Sequence, residues 1–370
     1  MRVAITGASG FIGNRVVEKY HLEKLYEVVP LVRGTWGPAL PARFDLPWKV
    51  CDHFVVDELS QAFEGCEAVV HTAIGAPFKE MAAAVYRAAD RAGVRRVVVL
   101  SSASVYNQNP EPGTTEESPL PRKFAFSYNS EKAAADRTMR RLRAQGRAEV
   151  VFLMPGIVYG PRSRWVSDIA SKVAEGTAYL IRGGRGVCNA VYIDNLVEAI
   201  RLSLSATGVD GESFFVSDAE TVTWRDFYLP LVSALGSTLE ELHAVEEPPP
   251  FVEPTMTERV RERILIAAES RRGRVLKPHV PPALKKMYKA ALASITPPNR
   301  QAVPNPWEPL VMLKPEISQE MSLLQQGVYK LPNTKAERVL GYAPPVTFAD
   351  GMRRSISWLK FAGYPVVPPH

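Results

Sequence analysis

Val3-Ala4-Ile5-Thr6-Gly7-Ala8-Ser9-Gly10-Phe11-Ile12-Gly13 is the stretch on which the fold turns. Val3–Thr6 is a short, largely β-branched run of the kind that forms a buried strand, and a helical pattern over Gly13–Leu25 follows the last glycine. Glycines at 7, 10 and 13 permit a tight turn and let a pyrophosphate approach the backbone, while the amides of the helix's first turn hold its charge. The spacing is G-x-x-G-x-x-G rather than G-x-G-x-x-G, and a glycine motif alone can be a simple turn. Its place between a first strand and a first helix predicts a dinucleotide cradle made by Gly7, Gly10, Phe11, Ile12 and Gly13.

Outward from this loop, apolar runs at Glu27–Val32, Trp48–Cys51, Ala68–Thr72, Arg96–Ser101 and Val150–Met154 alternate with helical patterns such as Lys79–Ala92 and Ser130–Gln145. Continuous apolar runs suit strands covered on both faces, so the repetition predicts an α/β fold: a Rossmann-type, doubly wound parallel sheet with a smaller C-terminal α/β substrate domain. The expected division is a dinucleotide-binding domain over 1–160, to which 187–216 returns, and a mainly substrate-binding part over 161–370. The latter includes a basic, proline-rich insert at 243–316 with helices expected at Glu258–Glu269 and Pro282–Ile295. In the second of these, Leu284, Tyr288, Ala291, Leu292 and Ile295 share a face.

At 370 residues, 46% apolar and 23% charged, the chain is long enough for a buried core and is ordinary for a globular protein, which excludes disordered and collagen-like classes. A net charge of +6 suits an anionic partner such as a nucleotide, a phosphorylated sugar or an acidic surface. Cys51, Cys66 and Cys188 form no C-x-x-C pair, so neither a disulfide framework nor a metal site is expected. The first residues enter a strand pattern directly, and no apolar stretch approaches the ~18 residues that span a bilayer. The expectation is a cytoplasmic protein.

The second strand ends Pro30-Leu31-Val32-Arg33-Gly34, with an arginine where a carboxylate would bind the ribose hydroxyls of NAD. A guanidinium there can grip a 2′-phosphate, so Arg33 predicts NADP, with NAD the alternative; it can also be a plain surface residue. In Tyr128-Asn129-Ser130-Glu131-Lys132, the phenol and the ammonium are four residues apart and share a helix face. The ammonium is expected to favour the tyrosinate and so help lower a phenol pKa near ~10. Ser101-Ser102 closes a strand at the carboxyl edge of the sheet, where ligands bind in such folds, and Ser102 can then reach the oxygen on which Tyr128 acts.

With these motifs in order, the chain resembles the extended short-chain dehydrogenase/reductase superfamily, the NAD-dependent epimerase/dehydratase family, along Thr6–Gly13, Cys51-Asp52, His71-Thr72-Ala73, Leu100–Tyr106, Tyr128–Lys132, Pro155–Pro161, Val191–Leu196 and Lys335–Trp358. The resemblance implies Ser102, Tyr128 and Lys132 as a catalytic trio, with Lys132 also on the nicotinamide ribose. It places Asp52 and His53 near adenine, Thr72, Ala73 and Ser101 along the cofactor, and Pro155, Ile157 and Val158 beside the nicotinamide. Dehydratases of this branch carry an acidic residue after the catalytic serine or threonine; here Ala103 and Ser104 follow, which disfavours elimination. Epimerisation through a ketone, or net oxidation or reduction, remains.

The segment Gly183–Asn195 resembles the region where nucleotide-sugar enzymes hold substrate, which implies substrate contacts from Ser104, Arg162, Arg185, Asn189 and Tyr192. Arg162, Arg164, Arg182 and Arg185 could meet a diphosphate, and each can equally be a solvated loop residue. Asp194 and Asn195 are expected to cap the following helix, and Trp224 to pack. The leading expectation is an epimerase or ketoreductase of a nucleotide-linked sugar; the alternative is an NADP-dependent reductase or dehydrogenase of a hydrophobic, sterol-like or polyketide-like alcohol or ketone. The insert's Arg259, Arg261, Arg263, Arg271, Arg272, Arg274, Lys277, Lys285, Lys286 and Lys289 could contact an anionic membrane, cover an anionic substrate, or form a solvated face. No nucleic-acid motif is found, and the resemblance implies a homodimer through the helices at 79–92 and 130–145.

Overall fold

The apolar runs become strands within a residue of their expected ends: β1 Arg2–Thr6, β2 Glu27–Val32, β3 Lys49–Val50, β4 Ala68–His71, β5 Arg96–Leu100 and β6 Glu149–Pro155. In this computed structural model the described residues are 1–34, 41–250, 252, 253, 255, 258 and 314–368. The helices expected in the insert and its basic residues lie outside them, Glu258 apart. The chain divides into one unit of Met1–Val252 with Pro315–His370 and another of Glu253–Lys314.

The first helices are α1 Phe11–Leu22, α2 Val56–Phe63, α3 Phe78–Arg91 and α4 Ser127–Arg143. After β6 come β7 Ile157–Tyr159, α5 Arg164–Ala174, β8 Tyr179–Ile181, β9 Val187–Cys188, β10 Ala190–Tyr192, α6 Ile193–Ser205 and β11 Ser213–Val216. Then follow β12 Val222–Thr223, α7 Trp224–Ala234, β13 His243–Val245, α8 Gln319–Leu324, α9 Thr334–Leu340 and α10 Phe348–Phe361.

Seven strands form one parallel sheet in the order β11-β6-β5-β4-β1-β2-β3. Successive side chains of a strand point to opposite faces. Val3, Ile5, Val98 and Val151 therefore join one apolar core with Val16 of α1 and Ile200 of α6, while Ala4, Val69, Val97 and Val150 join another with Leu59 of α2, Val85 of α3 and Met139 of α4. This is the expected doubly wound arrangement. The order reverses between β1 and β4, so the crevice for ligands opens at their carboxyl ends. β11, from residues 213–216, hydrogen-bonds beside β6. Smaller ladders, β7 with β10, β8 with β13 and β9 with β12, sit beyond it.

Asp194 and Asn195 depart from the expected role. Tyr192 occupies the N-cap position of α6, without a side-chain cap bond. Asp194 instead receives Arg15 of α1 at 2.6 Å and Arg354 of α10 at 3.4 Å. Asn195 donates to Asp218 and to the carbonyl of Val346, at 2.7 and 2.8 Å. Tertiary partners from distant segments win over local capping. The α7 start does follow expectation, with Thr223 and Asp226 forming a capping box.

One charge holds the far end of the sheet. Arg96, 2% exposed at the start of β5, meets Glu149 and donates to the carbonyls of Ser203 and Ala206. Arg96→Ala leaves these acceptors without their partner and is expected to cost about 3 kcal/mol, read as a lower denaturation midpoint.

Candidate active site

The glycines meet at the crevice. Gly7 has φ +72, and a Cβ there would lie 2.8 Å from the Ala73 backbone; at Gly13 it would lie 2.3 Å from the Gly7 carbonyl oxygen. Gly7 and Gly13 thus let β1, α1 and the end of β4 close on one another, and Thr72 and Ala73 form the wall they close on. Thr72 donates its hydroxyl to the Thr6 carbonyl at 2.7 Å. Gly10 is the exposed N-cap of α1 and supplies no side-chain cap, and the first turn holds no acidic residue. The amides of that turn are thus left to an anion, with the positive end of the helix dipole behind them. The loop fits a dinucleotide pyrophosphate.

The ends of β2 and β3 add a second sign of fit. His53 is 1% exposed, and neither ring nitrogen has a hydrogen-bond partner among the described residues. Burial, then the nearby Arg33 charge, lower its pKa to about 4, so the ring is neutral at pH 7 and offers one donor and one acceptor. Asp52 accepts from the Phe54 amide at 3.0 Å, and Arg33 reaches across to the Ile74 carbonyl at 3.4 Å. Arg33, Asp52 and His53 therefore stand together at the ends of β2 and β3.

On α4, Tyr128, Lys132 and Asp136 follow one another at intervals of a helical turn. Lys132 is 7% exposed; its Nζ donates to the Leu100 carbonyl at 2.9 Å and lies 5.3 Å from the centre of the Phe78 ring. Tyr128 meets Phe78 edge-on at 5.8 Å. Asp136, which the sequence reading missed, is buried and accepts a hydrogen bond from Ser101. Its four-residue step from Lys132 was visible, but its burial was not. Burial pushes Lys132 down and Asp136 up, and the attraction between them opposes both shifts.

The expected lowering of Tyr128 does not hold in this state. Burial raises its pKa above the ordinary phenol value, and the hydrogen bond with Ser102 pulls it back only in part. The Lys132 ammonium points one of its three donors at the Leu100 carbonyl, and the phenol is not among its hydrogen-bond partners. The Ser102 hydroxyl is also 2.8 Å from that of Ser104, whose amide donates to it at 3.2 Å, so Ser102 is fixed by its own turn.

A cleft of about 680 Å³ opens beside these groups. Phe11, Ile12, Thr72, Ser101, Ser102, Tyr128, Lys132, Pro155, Ile157 and Val158 line it, as do Ser104 and Asn189. Asn189 is committed to the segment beyond α8: it donates to Tyr329 O and accepts from Leu331 N. Arg162, Arg185 and Tyr192 are not among the lining residues. Arg185 is exposed and bonds the Arg182 carbonyl, Tyr192 is 2% exposed against Tyr159, and Arg162 reaches Asn14. Tyr192 is held inside, opposite Tyr159 where β10 pairs with β7, so substrate contact from it is not supported by its place. The far wall is instead Phe126, Trp165, Val187, Trp224, Leu324 and Leu331, with Arg164 and Glu320 as its charged members. Trp224 packs as expected, fully buried, and also faces the cleft.

A family model, NAD dependent epimerase/dehydratase family, matches residues 3–217, more than half of the chain. The chain belongs to this family. Its fold and its cofactor cradle agree with that membership, and so does an enzyme of the short-chain dehydrogenase/reductase type. Among curated relatives, the uncharacterized protein y4nL of Sinorhizobium fredii is 28% identical over 73% of this chain; the match spans 64% of that relative, under two thirds of its length. The decarboxylating sterol-4-alpha-carboxylate 3-dehydrogenase of Dictyostelium discoideum is 22% identical over 66% of this chain and 79% of its own. Among solved structures, UDP-glucuronic acid 4-epimerase from Bacillus cereus, in complex with UDP-glucuronic acid and NAD, superposes with a TM-score of 0.66 at 15% identity over 98% of this chain and 100% of that one. No helix among the described residues is long and apolar enough to cross a membrane.

Proposed function

We propose that this family member is an NADP-dependent dehydrogenase or reductase of a hydrophobic alcohol or ketone, with the substrate side of the cleft supplied mainly by residues beyond 160. The observation that carries the reading is the apolar far wall built from Phe126, Trp165, Val187, Trp224, Leu324 and Leu331. Of the arginines offered for a nucleotide diphosphate, Arg162, Arg182 and Arg185 lie outside that cleft, and Arg164 alone lines it, with Glu320 as the other charged member of that wall. Apolar surface buried there is worth ~25 cal/mol per Å², so an extended hydrocarbon body gains affinity that a charged diphosphate does not. The sterol dehydrogenase relative supports the same direction.

In this reading Ser102 donates a hydrogen bond to the reacting oxygen, and Tyr128 exchanges a proton with it. Lys132 and Asp136 fix the face of α4 that carries the phenol, and Lys132 places positive charge beside the developing tyrosinate. The bound nicotinamide supplies or accepts the hydride. Pro155, Ile157 and Val158 exclude water from that region, which strengthens each of these interactions.

Arg33, at the end of a strand that offers no carboxylate there, supports NADP over NAD. Arg33→Ala is expected to weaken NADPH binding by roughly tenfold, the scale of one lost charge-assisted bond, with NADH binding unchanged. Parallel fluorescence titrations check this, and equal losses for both dinucleotides count against it. Trp165→Ala removes part of the apolar wall and is expected to raise KM about tenfold with a smaller change in kcat.

The reading as a whole is tested by thermal melting of the NADP-loaded protein. A fused-ring secondary alcohol raises the melting temperature, while UDP, GDP and TDP leave it in place. Stabilisation by a nucleoside diphosphate and none by any apolar alcohol favours the epimerase or ketoreductase of a nucleotide-linked sugar instead.

A further inference from the structure

Arg162 is excluded from the reaction cleft, and the place it occupies is itself a cavity. About 310 Å³ in volume, it lies against the first turns of α1 between Asn14, Arg15, Arg43, Arg162 and Arg354. Four guanidinium groups meet two carboxylates there. Asp194 takes Arg15 and Arg354, and Glu18 takes Arg15 and Arg43. Arg162 has no carboxylate partner among the described residues, and its single hydrogen bond goes to a neutral amide oxygen, Asn14 Oδ1, at 2.9 Å. Arg43 donates to that same oxygen at 3.3 Å.

This sharing orients the amide. Two guanidiniums on one atom identify it as the oxygen, so the other end of Asn14 is a donor. That nitrogen is buried without an acceptor, in a residue 1% exposed, on the wall of the pocket. A donor left bare beside positive charge asks for an anion. The Arg162 backbone sits at φ 73, a left-handed conformation that an arginine adopts only when its surroundings hold it there. The position near the N-terminal end of α1 adds the positive end of the helix dipole. Burial and the Arg43 charge lower the pKa of Arg162, and the nearby Glu18 carboxylate offsets them only in part.

We propose that this pocket is an anion site for a phosphate group, with Arg162, Arg43 and the Asn14 amide as its donors. The planar guanidiniums suit the oxygens of a phosphate, and Asn14 supplies a neutral third bond. Phe11 lines both this pocket and the reaction cleft, so an occupant here adjoins the dinucleotide cradle. A phosphate can arrive as a free anion or as part of the dinucleotide.

Titration calorimetry with inorganic phosphate on the full chain tests the site. Saturable binding is expected, weakened roughly tenfold or more in Arg162→Gln and in Arg43→Gln, and unchanged in Arg353→Gln on the exposed side of α10. Arg43 is partly exposed, so its variant keeps the test sound if Arg162→Gln fails to fold. Repeating the titration on NADP-saturated protein separates the sources. Retained binding assigns the pocket to a free anion, and displacement assigns it to a phosphate of the dinucleotide. No saturable binding in the unmodified protein, or full binding in both arginine variants, overturns the proposal.

Discussion

Tyr128→Phe is expected to lower kcat by ~10²–10⁴-fold while dinucleotide affinity stays in place. The phenol hydroxyl is the one group on the cleft wall that combines an exchangeable proton, contact with Ser102 and a place on the same helix face as Lys132. Removing it leaves the ring against Phe78 and the cradle untouched, so binding and chemistry separate. The pH profile carries the same information. Because the Tyr128 pKa is raised in this state, the phenol is protonated across the neutral range. Ketone reduction, which consumes that proton, is expected to be flat from pH 6 to about 9; alcohol oxidation, which needs the tyrosinate, climbs with pH over the same span. An oxidation rate that levels off near neutrality contradicts a raised Tyr128 pKa in the working enzyme.

Gly13→Val is expected to remove dinucleotide binding altogether and to destabilise the fold by roughly 1–3 kcal/mol. Even a Cβ at this position would stand 2.3 Å from the Gly7 carbonyl oxygen and 2.6 Å from Thr72 Oγ1. The closest atom is backbone, so relief requires α1 to lift away from β1, and the amides of its first turn then leave the cradle. Melting temperature with and without NADP reads both effects: the variant melts lower, and the dinucleotide no longer raises it. A variant that still responds to NADP places the cradle elsewhere.

What the sequence disclosed is what local physics controls. Most strands of the main sheet are apolar runs, and the Gly7–Gly13 loop is written in the chain in the order in which it folds. Tyr128 and Lys132 were legible for the same reason, since a four-residue step on a helix needs no tertiary knowledge. Asp136 continues that step, yet only packing against β5 gives it the Ser101 hydroxyl and removes it from water. The far wall of the cleft was not legible, because Trp165, Trp224, Leu324 and Leu331 come from separate elements whose meeting depends on the whole fold. Arg162 and Tyr192 illustrate the converse: the resemblance implied substrate contacts, while the packing of β7, β10 and α1 places both outside the cleft. Asp194 and Asn195 sit where caps are common, and distant arginines and Asp218 claimed them instead.

Hydride transfer between a hydrophobic substrate and the nicotinamide is tested most directly by following reduced nicotinamide through its absorbance. The protein is mixed with NADP and a secondary alcohol on a fused-ring apolar body, beside an otherwise identical Tyr128→Phe sample. Steady formation of reduced nicotinamide is expected in the first and loss of nearly all of it in the second. No reduced nicotinamide with any apolar alcohol, together with conversion of a nucleotide-linked sugar by the same preparation, contradicts that transfer.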